Sequence, residues 1–155
     1  MSAFANITVF DGAGTPAVHT LTAVEINRVP GSNKNSKVVA LWRELLPTVP
    51  TEAQITAQVE LERLPSGTFI ERTITQVPVM EAISGQNAAG YTAAPKVAFV
   101  DKRVTEQFSA PRSTVASRRL LRQLDINIQG NISTTVTPAT TGPFPELFDL
   151  QATPT

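Results

Sequence analysis

The sequence predicts an α+β fold, with an N-terminal β-hairpin, an antiparallel sheet of about five strands and C-terminal helices. Three observations predict it. From Asn6 to Phe108, short runs rich in Val, Ile and Thr alternate in polarity and are separated by turn residues. Along Val115 to Ile128 the spacing becomes helical, with apolar Leu120, Leu121, Leu124 and Ile128 in a narrow stripe. Between the two, Ser109-Ala110-Pro111-Arg112-Ser113-Thr114 breaks the chain. One narrow helix leaves an apolar sheet face with too little cover, and a second copy of the chain is the natural remedy.

Asn6 to Phe10 reads as the first strand, and Asp11-Gly12 supplies turn residues that tolerate positive φ. Thr20 to Asn27 reads as the second. Val29 to Lys37, with Pro30, Gly31 and mixed Ser, Asn and Lys, has the chemistry of a polar loop. Val38 to Leu45 fits either a strand or a helical turn; the β-branched Val38 and Val39 favour a strand, which Pro47 and Pro50 end. Ile55 to Leu64 and Thr68 to Val77 form the clearest pair, joined by Pro65-Ser66-Gly67 with Pro early and Gly late in a tight turn. In the first of these strands Ala57, Val59 and Leu61 alternate with Gln58, Glu60 and Glu62. In the second, Glu71, Thr73 and Thr75 alternate with Ile70 and Ile74, so each strand has a dry side and a wet side.

Ser84 to Pro95 is a long loop of small residues, a length that usually marks function or mobility. Val97 to Phe108 is the last strand. Its set Ala98, Val100, Lys102, Val104 and Glu106 is the more apolar and is expected to face the core, leaving Phe99, Asp101, Arg103, Thr105 and Gln107 to water. The helix finds a C-cap at Gly130, followed by Asn131. The tail is rich in Thr and Pro until Phe144, Leu147 and Phe148, which read as one helical turn in need of packing partners. The expected organisation is a single domain over residues 1–155: a β-rich body (1–108), a helix (109–131) and an extended tail (132–155).

Composition excludes several function classes. No apolar run approaches the roughly 20 residues of a membrane-spanning helix, and Met1-Ser2-Ala3-Phe4 lacks the pattern of a secretory signal. The absence of cysteine removes disulfides and thiolate metal sites. His19 is the only histidine, so neither a zinc site nor a catalytic triad can be built around it, and a structural or surface histidine is the favoured reading. No cofactor is expected and no metal ligand is nominated, although a carboxylate-only calcium site leaves little trace in a sequence. Glu60, Glu62 and Glu71 would suit an acid–base pair, but alternating glutamates are more often a solvated strand face. Ser84-Gly85 lacks the preceding glycine of a nucleophile elbow. Nothing argues for an enzyme.

Net charge is zero but uneven: residues 96–130 carry a net of +4 and residues 51–95 a net of −3. Arg112, Arg118, Arg119 and Arg122 invite a nucleic-acid reading, but a solvated helix face explains them more simply. Arg28, Lys34 and Lys37, in or beside the polar loop, are better candidates for RNA contact.

The order of these parts resembles the coat proteins of single-stranded RNA bacteriophages, the levivirus type. The resemblance lies in Ile55 through Leu124, above all Val77-Pro78 leading into the long loop, and Glu106-Gln107-Phe108-Ser109 running into Arg118-Arg119-Leu120-Leu121-Arg122-Gln123-Leu124. It is one of architecture over about the whole length; the Thr- and Pro-rich tail beyond Asn131 is longer than the family pattern. The resemblance implies an intertwined homodimer, its two sheets joined edge to edge and the helices of each chain crossing onto the partner's sheet. Such dimers tile an icosahedral shell, assembled in the bacterial cytoplasm and carried in the virion. Ile83 to Pro95 would line the symmetry axes, with Ser84, Gly85, Gln86, Asn87, Gly90, Tyr91 and Pro95 as its residues. The open sheet face would bind a genomic RNA hairpin, repressing replicase translation and marking the genome for packaging. Polar parity nominates Gln58, Glu60, Glu71, Thr73, Thr75, Phe99, Asp101, Arg103 and Thr105 for that face. Arg103 would neutralise phosphate, Gln58, Thr73 and Thr75 would bond base edges, and Phe99 would stack on an unpaired base. Two readings compete with a shell protein: a dimeric RNA-binding regulator that never assembles, and a hydrolase built on the acidic strands.

Overall fold

The computed structural model describes residues 2–31, 36–81, 85, 90 and 96–155. Its centre is one six-stranded antiparallel sheet whose strands neighbour one another in sequence order. They are β1 (Ile7–Phe10), β2 (Val18–Pro30), β3 (Ser36–Glu44), β4 (Thr56–Arg63), β5 (Phe69–Met80) and β6 (Val97–Ser109), followed by helices α1 (Val115–Gln129) and α2 (Pro143–Leu150). The expected N-terminal hairpin is not separate from the sheet. At 13 residues, β2 pairs with β1 along one part and with β3 along the rest, so the hairpin and the main sheet are continuous. The loop expected over Val29 to Lys37 is correspondingly shorter, because β2 runs through Pro30 and β3 begins at Ser36.

Local chemistry explains the joints. Between β4 and β5, Leu64 N–H donates to Thr68 O at 2.8 Å and Gly67 N–H to Leu64 O at 2.9 Å. Gly67 sits at φ 83°, and a Cβ there would meet Pro111 Cγ at 3.2 Å, so the turn needs glycine twice over. Pro78 interrupts no ladder on its β4 side, because β4 pairing ends at Thr56↔Gln76. A bulge in β2 between Ala23 and Glu25 shifts the parity, and Asn6 Oδ1 accepts the Ala23 N–H at 3.1 Å. Leu21, Ala23 and Ile26 therefore all reach one side of the sheet, although a regular strand would send Ile26 to the other.

On that side lies the core. Trp42 and Val59 are fully buried with Leu21, Ala40 and Ala57, under Leu147 and Phe148 of α2. Burying a leucine such as Leu147 contributes about 1.5–3 kcal/mol. Phe4 stands edge-on to Trp42 at 5.0 Å and Phe144 lies tilted at 5.8 Å, while Trp42 Nε1 donates to Ala5 O at 2.9 Å. The predicted single turn is thus a two-turn helix, started by Pro143 and held by its apolar face. The resemblance implies that both C-terminal helices cross to a partner; α2 instead covers its own sheet. Its last carbonyls are finished by Gln151 in the left-handed region at φ 55°.

α1 begins in a capping box. Thr114 Oγ1 accepts from Ser117 N–H at 3.2 Å, and Ser117 Oγ accepts from Thr114 N–H at 3.0 Å. At its other end Gly130 is still right-handed and Asn131 takes the left-handed step at φ 48°. The apolar stripe predicted for α1 is uncovered among the described residues: Leu120, Leu121, Leu124 and Ile128 are all exposed, Leu120 and Ile128 at 70%.

Candidate functional site

Register decides which side chains share a face, since directly opposed residues in an antiparallel pair point the same way. Val59 opposes Thr73 and Thr73 opposes Thr105; Ala57 opposes Thr75 and Thr75 opposes Arg103; Leu61, Glu71 and Gln107 form a third row. These residues belong to the face that carries α2. Gln58 opposes Ile74, and Glu60 opposes Arg72, which opposes Glu106. They lie on the other face, which no helix covers among the described residues.

The nine residues nominated for RNA contact therefore do not share a face. Only Gln58 and Glu60 lie on the open side. Glu71, Thr73, Thr75, Phe99, Asp101, Arg103 and Thr105 are on the helix-bearing side, Asp101 through Val77 and Phe99 through Val79. The expectation for the last strand is likewise reversed: Lys102, Val104 and Glu106 face the open side, while Gln107 and Thr105 lie toward the helices. Polarity along a strand finds its two sides but not which side of a neighbour each one joins. Of the loop assigned to symmetry axes, Ser84, Gln86, Asn87, Tyr91 and Pro95 lie outside the described residues, as does Lys34. Gly85 and Gly90 are described, at φ 66° and 81°.

The open face centres on Glu60, which is 6% exposed. Its carboxylate accepts from Gln58 Nε2 at 2.6 Å, Lys37 Nζ at 3.0 Å and an Arg72 terminal nitrogen at 3.1 Å. Arg72 also bonds Glu106 on β6, so a charge ladder crosses from β3 to β6. Arg43 and Lys102 share this face through Thr56 and Gln76, and neither makes an ion pair among the described residues.

The helix-bearing face holds Arg118 and Glu71, which the sequence pattern placed in solvent, together with Asp149. Arg118 is buried at 8% exposure and Asp149 and Glu71 at 0%. Asp149 accepts from Arg119 Nε at 2.9 Å and from Arg122 at 2.9 and 3.0 Å, tying α2 to α1. Arg118 donates to Asp149 O and Ser113 O, each at 2.9 Å. Burial alone would raise the Asp149 carboxyl, but hydrogen bonds from Arg122 and Arg119 outweigh it and hold it below the ordinary range. Glu71 goes the other way. Burial pushes its carboxyl up, only partly offset by hydrogen bonds from Ser109 at 3.0 Å and Gln151 at 3.1 Å and by the charge of Arg118. The alternating glutamates are thus buried structural groups, since Glu62 too is 7% exposed. No sequence signal pairs Arg119 and Arg122 with a carboxylate 30 and 27 residues on; only the return of α2 brings them together.

Two adjoining features stand open at the β6 end of the sheet. One is β6, a 13-residue strand with no neighbour on its outer side among the described residues, bearing exposed Val100, Val104 and Phe108. The other is a groove of 780 Å³ between β6 and α1, lined by Thr73, Arg103, Thr105, Leu121, Ile126 and Phe148. Bare sheet edges and apolar helix faces of this size are surfaces for assembly. No group of His, Asp and Glu among the described residues is arranged to hold a metal ion, and no described helix is long and apolar enough to cross a membrane.

The fold and its bare edge define a subunit of a protein assembly. Solved structures agree. The virus-like particle of bacteriophage EMS014 is 30% identical over 97% of this chain and 97% of its own, with a TM-score of 0.66. A second structure, the EMS014 coat protein, is 28% identical over 97% and 98% with a TM-score of 0.62. The virus-like particle of Beihai levi-like virus 21, at 21% identity over 83% and 87% and a TM-score of 0.60, shares the fold. No protein-family model and no curated protein matches the sequence. The chain belongs to the coat proteins of levi-like RNA phages, and its role is that of a structural subunit of the virion capsid.

Proposed function

We propose that this chain dimerises through β6 and α1, that the dimers assemble into a closed shell, and that the open sheet face binds a hairpin of the genomic RNA. The observation that carries the reading is the bare β6 edge beside the uncovered α1 stripe. A second copy running antiparallel along β6 would pair the exposed backbone groups and lay its own α1 into the groove. Thr73, Thr75, Arg103 and Thr105 would then lie beneath the partner's helix, which removes them from the RNA set. Gln58 stays in it, joined by Arg43, Arg72, Gln76 and Lys102, while buried Glu60 holds Lys37 and Arg72 in place. Arg43 and Lys102 would meet phosphates, and Gln58 and Gln76 would bond base edges. Repression of replicase translation and genome packaging follow from such a complex. The loop spanning residues 83–95 would line the shell's symmetry axes and govern particle geometry.

Expression in bacteria followed by negative-stain electron microscopy, with absorbance ratio and nuclease protection on the same fraction, tests the reading. Uniform round particles holding protected RNA are expected. Dimers that bind RNA without particles would support the non-assembling regulator instead. In a hairpin-binding assay, Lys102→Ala and Arg43→Ala should each weaken affinity and flatten its salt dependence by about one phosphate contact. Wild-type affinity in both variants would move the RNA site off this face.

A further inference from the structure

A single two-fold contact is used up once two copies have paired, so a closed shell of identical dimers needs another contact on every copy. With β6 given to the dimer and the loop over residues 83–95 to the symmetry axes in the reading above, on which this inference rests, the free edge left in the described sheet is β1, at the opposite end. Asp11 N–H donates to Ala17 O at 3.0 Å. By antiparallel alternation Val9/His19 and Ile7/Leu21 are then also hydrogen-bonded pairs. Thr8 and Phe10 fall in the pairs between, so their N–H and C=O groups point away from β2 and out of the sheet. Phe10 adds an exposed ring (68%) and lies opposite exposed Val18 (56%).

This edge is held in shape. Asp11 Oδ1 accepts from Ala13 N–H at 3.2 Å and Ala17 N–H at 2.9 Å, which builds the loop. His19 bridges Asp11 Oδ2 at 3.5 Å and Glu44 Oε1 at 2.9 Å, pinning the hairpin to β3. An apolar pair and a row of bare backbone groups are thus presented on a fixed scaffold, which lowers the ordering cost of docking.

We infer that the β1–β2 tip is a contact between neighbouring dimers in the shell, another copy of this chain docking on Phe10 and Val18 and bonding the outward groups of Thr8 and Phe10. The length of the edge identifies the occupant. Four residues are too few to hold a partner alone, but the same weak contact repeated around a shell gains from every other one. A separate protein binding one site has no such multiplication.

The double variant Phe10→Ser/Val18→Ser tests it, because both side chains are solvent-exposed in the folded chain. Light scattering should find dimers as in the parent, thermal unfolding should be unchanged, and particle yield by electron microscopy should fall about tenfold or more. Particles in parental yield would overturn the inference, and so would loss of the dimer, which would place the patch in the dimer contact. A parent chain that forms no particles would overturn the shell reading itself, a result the parental control displays separately. Phe10→Cys gives an independent readout, since the chain has no other thiol. N-ethylmaleimide should label it fully in dissociated dimers and about tenfold more slowly in intact particles; equal labelling in both would overturn the contact.

Discussion

Replacing Asp149 by asparagine keeps the size of the side chain and removes the charge that joins the two helices. Asp149 is wholly buried and accepts three bonds from Arg119 and Arg122. An asparagine could accept from one guanidinium, but its amide would turn donors toward the other. Removing one partner of a buried pair costs about 3–5 kcal/mol. Arg119 is 34% exposed and Arg122 10%, so water can partly rescue the orphaned cations. The low end, about 3 kcal/mol, is expected, which lowers the unfolding temperature of a chain this size by roughly 6–12 °C. Calorimetry or circular dichroism on dissociated subunits measures it. The variant also predicts a pH effect. The folded Asp149 carboxyl lies below its unfolded value of about 3.9, so its stabilisation is present above that value and is lost as pH falls through the folded pKa. Asp149→Asn should therefore lose less stability than the parent below about pH 4. A variant within about 1 kcal/mol of the parent, with the same acid limb, would refute the role given to this clasp.

Glu71 predicts the opposite sign. Its folded carboxyl is raised by burial, so the folded chain binds a proton more readily, and Glu71 costs stability as pH climbs above its unfolded value of about 4.3. Denaturant titration of Glu71→Gln should show stability at pH 7 equal to or above the parent, the difference closing toward pH 4; a large loss at pH 7 would show that the charge itself is needed. His19 is raised chiefly by its bond to Glu44, so its contribution is complete below about pH 6.5 and fades as pH rises through the folded value. At 22% side-chain exposure this is worth under about 1 kcal/mol, and His19→Gln should flatten the stability profile on the alkaline side of pH 6.5. Leu120→Ser/Leu124→Ser alters side chains exposed in the single chain, so dimer dissociation measured by light scattering should rise sharply while secondary structure by circular dichroism is retained. Unchanged dimers would remove α1 from the interface.

Most elements, though not the bounds of β2 and β3 or the length of α2, are written in local pattern. Period-two runs, the Pro65-Ser66-Gly67 turn, the Ser109–Thr114 break and the three-to-four spacing of Leu120, Leu121, Leu124 and Ile128 each act over a few residues, so each was legible without neighbours. The exposed stripe of α1 was legible too, because four apolar residues at helical spacing with no second long apolar helix to meet them show along the chain. Tertiary structure alone decided which strand sides align. Gln58 and Thr73 are both polar residues on half-buried strands, yet cross-strand register sends them to opposite faces, and one residue of slip would reverse that. It also decided what the charges do. Arg119, Arg122 and Glu71 look solvated when read along the chain, but the return of α2 and Gln151 across 27 to 80 residues pairs the two arginines with buried Asp149 and buries Glu71. Pairing at that separation follows from where the backbone comes back, and no local pattern encodes it.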